Sequence, residues 1–157
     1  MGSIVVKKSI CVDLDGVLAR YDGWKGIEHI GDPIPGAREF MKSLASSFRV
    51  VVYSTRCKVF SEGVPGPDGT PEPCRDDVSR LVAIVKTWLD KHGFAYNEVY
   101  ADQGKPFAIA YVDDRAAVCE PQKSEVAFEM ALGRVWDLAG EFKPTDVSGL
   151  LAEHETR

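Results

Sequence analysis

The chain has no basic run longer than the pair Lys7 and Lys8, and acid outweighs base: 24 Asp and Glu against 19 Lys and Arg, a formal net charge of −5 at pH 7. A phosphate backbone calls for a positive face, so this balance argues against nucleic acid as the main partner. No apolar stretch approaches the roughly 18 residues of a membrane span, and the N-terminus lacks the apolar core of a signal peptide. A cytoplasmic protein with no membrane partner is the expectation. Cysteine is sparse, and Cys11, Cys57, Cys74 and Cys119 form no C-x-x-C pair. That argues against a zinc cluster and a disulfide framework, and the four read as free thiols in a reducing compartment. Cys57 and Cys74 bracket a proline- and glycine-rich segment, where a bridge or a shared metal is the alternative. Of the three histidines, His29 and His92 have no neighbour that suggests a catalytic triad, and His154 falls in the C-terminal tail.

What is present suffices for one ordinary globular domain, since 45% of the 157 residues are hydrophobic. Apolar runs ending in polar loops alternate with segments of helical period, which predicts an α/β fold: a three-layer, Rossmann-like sandwich on a mainly parallel sheet. The spacing predicts a strand over about Ile4 to Asp13. A helix comes next, carrying Ala37, Phe40, Met41 and Leu44 at i, i+3, i+4 and i+7, then a β-branched strand from Phe48 to Tyr53. The proline- and glycine-rich stretch 57–74 cannot form a regular element. A helix from about Arg75 to His92, with Gly93 as its stop, precedes short strands at Glu98 to Ala101 and Phe107 to Val112. A last helix carries Phe128, Ala131, Leu132, Val135, Trp136 and Ala139. The organisation expected is a single domain over 1–140, with 57–74 as a candidate partial lid and 141–157 as a loosely held tail.

The most informative segment is Ile10-Cys11-Val12-Asp13-Leu14-Asp15-Gly16-Val17, a buried strand that delivers two aspartates into a glycine turn. Alternate strand residues point the same way, and two carboxylates so placed repel unless a cation or a shared proton intervenes. Hard oxygen donors suit Mg2+, which takes one or two protein carboxylates and leaves its remaining positions to water and phosphate. An EF-hand calcium loop fails on register, because counting from Asp13 puts Leu18 at the glycine position and Trp24 at the bidentate glutamate.

Three more polar clusters stand at or near the carboxyl ends of predicted strands: Ser54 with Thr55, Lys105, and Asp113 with Asp114. That edge of an open α/β sheet is where ligands bind. Carboxylates, a hydroxyl and a lysine are the parts that phosphoryl transfer through an aspartyl-phosphate requires. Singly, each has a plainer explanation: a turn aspartate, a capping hydroxyl, an exposed loop lysine. Four placements at strand ends weigh together against coincidence. Arg56 and Arg115 adjoin these positions and suit a substrate phosphate or carboxylate, or else a salt bridge to a nearby acid.

In order and context these residues resemble the haloacid dehalogenase superfamily of phosphohydrolases. Cys11 to Gly16 matches its D-x-D-G strand end, and Val51-Val52-Tyr53-Ser54-Thr55 its strand ending in Ser or Thr. Its lysine looks like Lys105 in Gln103-Gly104-Lys105-Pro106, and its final acidic pair like Asp113-Asp114 after Ala110-Tyr111-Val112. The resemblance covers Ile10 to Arg115. It implies Asp13 as nucleophile, Asp15 as general acid and then base, and Lys105 as the charge that neutralises the nucleophile. Ser54, or Thr55 beside it, would hold the phosphoryl group, with Arg56 as a further substrate contact. Mg2+ would be held by Asp13, the main-chain carbonyl of Asp15, and Asp113 or Asp114. Asp15 argues for phosphoester hydrolysis over dehalogenation, since an alkoxide leaving group needs a proton.

Neither gap where the family inserts a cap has room for one, so a capless member is expected. Such a member accepts bulky substrates, including phosphorylated macromolecules, or covers its site by homo-oligomerisation. The stretch 21–30 is a second candidate for a partial lid, in which Tyr21 and Trp24 suit stacking on a base or sugar, with a plain core role as the alternative for Trp24. The Asp113-Asp114-Arg115 ending is similar to the 5′-nucleotidase-like branch, which implies a nucleotide as one small phosphoester substrate. Two other classes remain. A receiver-type phosphoacceptor domain would need a lone aspartate where Tyr53-Ser54-Thr55 stands, and a non-catalytic phosphate- or metal-binding module would keep these residues without turnover.

Overall fold

The computed structural model describes residues 6–57 and 78–140. The 57–74 lid expectation, apart from Cys57, the Cys74 thiol, and the tail from 141 lie outside the described residues. Among them, an α/β fold is built on β1 (Ser9–Asp13), α1 (Ala37–Ser47), β2 (Arg49–Tyr53), α2 (Val78–Lys91), β3 (Glu98–Val99), β4 (Ala110–Val112) and α3 (Ala127–Ala139). A single 3-10 turn, Thr55–Cys57, succeeds β2. The four strands form one parallel sheet in the order β3-β2-β1-β4. The chain divides into two compact units after Asp114, inside the span expected as a single domain. The first unit holds the whole sheet, which is complete at β4, and the second holds α3.

The central strands are apolar throughout because both their faces are buried: Ile10, Cys11 and Val12 in β1, and Val50, Val51 and Val52 in β2. Ile10, Val12, Val50 and Val52 share a core with Met41 of α1 and with Val85, Trp88 and Leu89 of α2. The α1 stripe read from the sequence faces this core through Ala37 and Met41, while its Phe40 is exposed. Strand edges differ from expectation. β1 starts at Ser9 because pairing with β2 starts there, Arg49 N–H donating to the Lys8 carbonyl at 3.0 Å; Val6 is exposed. β4 is likewise limited to Ala110–Val112, the residues that face Ile10 to Val12, and Phe107 stands in solvent. Gly93 ends α2 as expected. Its φ of 70° lets the Phe94 N–H reach back to the Leu89 carbonyl at 3.0 Å.

α3 spans the expected apolar segment and buries only Ala127. Among the described residues no helix is long and apolar enough to cross a membrane.

Candidate active site

Register places the acids. Asp13 closes β1 opposite Tyr53, so Ser54 comes next at the same edge. Val12 lies opposite Val112, which brings Asp113 and Asp114 out beside Asp13. Because all strands are parallel, their carboxyl ends share one edge, and the half-buried Asp13, Asp113 and Asp114 each offer an oxygen within 4.8 Å of the others. The chain must turn immediately after this cluster. Gly16 takes φ 90°, and a Cβ there would stand 2.3 Å from Asp114 Oδ2. Its lack of a side chain is the space that Asp114 occupies.

The electrostatics of the cluster are unfavourable in isolation. Burial, and then the charges of Asp113, Asp114 and Asp15, push the Asp13 carboxyl up to about 7, against the opposing pull of the Leu14 N–H that it accepts at 2.8 Å. A group of hard, mutually repelling oxygens beside a side-chain-free turn is a donor set that fits a small divalent cation such as Mg2+. Asp13, Asp113 and Asp114 are the side chains that would hold it.

Asp15 faces a different neighbour. The Arg56 guanidinium grips it with two bonds, Nε to Oδ2 at 2.6 Å and Nη2 to Oδ1 at 2.9 Å, and the Arg56 side chain is only 3% exposed. Nη1 donates to the carbonyls of Gly26 and Ile27 at 3.2 and 3.3 Å, and the guanidinium carbon stands 4.8 Å over the Trp24 ring. Of the two partners that suited Arg56 from sequence, substrate or acid, the structure supplies the acid. Trp24, expected on a base or sugar, carries this guanidinium on its ring. The Gly26 and Ile27 carbonyls were illegible in sequence because they are main-chain groups.

Ser54 is buried, and its Oγ accepts the Arg56 N–H at 3.2 Å; Thr55 is exposed. Lys105 is not brought to the cluster. It is exposed, its ammonium lies 4.2 Å over the Tyr111 ring, and among the described residues it forms no ion pair. A cavity of about 660 Å3, lined in part by Gly16, Tyr21, Lys25, His29, Ile30 and Asp114, opens beside the acids. Burial and then the Glu98 charge push the Cys11 thiol up, against the opposing charges of Arg49 and Lys105.

Fold and site together define an α/β protein with an acidic centre at the carboxyl edge of a parallel sheet. No family model and no curated protein matches the chain. Among solved structures it is similar to a conserved protein from Bacteroides thetaiotaomicron, at 21% identity over 78% of this chain and 91% of that one, with a TM-score of 0.43. It is also similar to a protein from Vibrio cholerae, at 23% identity over 87% and 99% of the two chains, with a TM-score of 0.42.

Proposed function

We propose that the protein is a Mg2+-dependent phosphohydrolase of the haloacid dehalogenase type, without a full cap, which cleaves a phosphate monoester through an aspartyl-phosphate. The observation that carries this reading is the convergence of Asp13, Asp113 and Asp114 at one sheet edge, with Asp15 and Ser54 beside them. Ionised Asp13 would attack phosphorus from the end of β1. Asp15 would give a proton to the leaving oxygen and take one from the water that hydrolyses the intermediate. A carboxylate offers about four lone-pair sites, so the two bonds from Arg56 leave lone pairs on Asp15 that would take up and release this proton. Ser54 Oγ would bond a phosphoryl oxygen. Bound Mg2+ would offset the repulsion between the acids and the phosphate. The cavity beside Gly16 and Asp114 would take the leaving group, a nucleotide or another small phosphoester. A cytoplasmic setting and a covering second copy belong to the same proposal.

A second reading, a non-catalytic phosphate- or metal-binding module, draws on the position of Lys105 over Tyr111. Phosphate release from nucleotides, sugar phosphates, an aryl phosphate and phosphopeptides, with and without Mg2+, separates the two. Turnover that vanishes in chelator and in Asp13→Asn is the expected result. Mg2+ binding with no release from any compound would replace the hydrolase with the binding module.

A further inference from the structure

Residues 20–31 leave the sheet edge and return to it as one closed excursion. At its base the Arg20 N–H donates to the Asp32 carbonyl at 2.8 Å, and the Ile34 N–H to the Leu18 carbonyl at 2.9 Å. Gly31 carries no side chain where a Cβ would meet the Arg20 carbonyl oxygen at 2.1 Å, and its own carbonyl accepts the Trp88 indole N–H at 3.1 Å. The far part of the excursion, Trp24 to Ile27, meets Arg56 at the site, and the adjoining Glu28 pairs with Arg80 of α2. The Arg56 guanidinium commits Nε and Nη2 to Asp15, Nη1 to two carbonyls of the excursion, and its face to Trp24. It is buried, so its charge was taken out of water only because these partners replace water around it.

We infer that Arg56 is a positioning residue that sets Asp15 and the Trp24-bearing excursion as one unit. The orientation of the proton donor and the excursion beside the site are therefore coupled through the Arg56 guanidinium. A planar fork with fixed donors can hold a carboxylate at a defined angle, and a lysine ammonium cannot. The chemical consequence rests on the phosphohydrolase reading. In the phosphoryl-transfer step, which kcat/KM reads, a misaligned Asp15 matters only where the leaving group needs a proton as the P–O bond breaks: an alkoxide leaves with the Asp15 proton, whereas an aryl oxide leaves without one; hydrolysis of the intermediate, common to both esters, is slowed equally.

The test compares kcat/KM for an alkyl phosphate and for a p-nitrophenyl phosphate in wild type and Arg56→Lys. Both proteins are made with 5-fluorotryptophan, and Trp24→Phe assigns one of the three tryptophan signals. The expected result is a loss of about 10²-fold on the alkyl ester and less than about 5-fold on the aryl ester, with added guanidinium restoring part of the loss in Arg56→Ala if that variant folds. The Trp24 fluorine signal is expected to shift in Arg56→Lys and in Asp15→Asn alike. Equal losses on both esters, or no loss on either, overturn the positioning role. A wild type inactive on every ester overturns the hydrolase reading instead. The coupling is then decided by the fluorine signal, which supports it if both substitutions move the signal and overturns it if Asp15→Asn leaves the signal in place.

Discussion

Asp13 links pH to stability through a carboxyl held near 7 instead of its ordinary 3.8. Its folded value is raised, so the folded state binds the proton more tightly than the unfolded chain does. That stabilisation is complete below about pH 4 and is lost as pH rises through about 7. The metal-free protein is therefore expected to lose stability across this window, by at most about 4 kcal/mol for a carboxyl so displaced. Denaturant unfolding between pH 4 and 8 measures it. Asp13→Asn should flatten the slope because it removes the ionisable group, and on the proposed mechanism it should abolish turnover as well. A slope that survives in the variant would assign the effect to another group. Gly16 provides a second expectation. Gly16→Ala must place a methyl 2.3 Å from Asp114 Oδ2 at a φ of 90°, so Asp114 is displaced. Mg2+ affinity, read by titration calorimetry, should fall by about tenfold or more.

The helices that carry the sheet give contrasting expectations at α2 and the turn that ends it. Leu89 is fully buried in the core that holds Val12 and Val52, and Leu89→Ala should cost about 2–5 kcal/mol through lost transfer energy and the cavity left behind. Gly93 meets nothing closer than Arg38 Cδ at 3.8 Å, yet its φ is 70°. Gly93→Ala should therefore cost only about 1–2 kcal/mol, the penalty of a left-handed backbone for a residue with a Cβ. Chemical denaturation of the two variants decides it, and equal losses would contradict the separation of packing from backbone strain. The existence and kind of these elements were readable in advance. Ala37, Met41 and Leu44 repeat at helical spacing in α1, and Val50-Val51-Val52 is a run that suits a strand buried on both faces. Their limits were less so, since β4 reaches only as far as Ile10 to Val12 offer it partners.

For the molecule as a whole, the proposed Mg2+ site at the acidic edge would link cation binding to folding. A ligand that binds only the folded state adds RT ln(1 + [L]/Kd), about 2.7 kcal/mol at a hundredfold excess over Kd. Mg2+ should raise the unfolding midpoint accordingly, most steeply at and above pH 7 where Asp13 is ionised, and chelator should reverse it. A midpoint indifferent to Mg2+ at pH 8 would remove the metal from the site. Composition, period and the D-x-D-G turn were enough to specify a parallel α/β sheet with its acids at one edge, because strand and helix period and the exclusion of side chains from tight turns act along the chain. The partners within the site were decided by folding. Asp113 reaches Asp13, and Arg56 reaches Asp15, Gly26 and Ile27, through register and loop path, while Lys105 goes to Tyr111. Most of these contacts join residues tens of positions apart, and no local pattern encodes which of several charges a folded backbone will bring within hydrogen-bonding distance of one another.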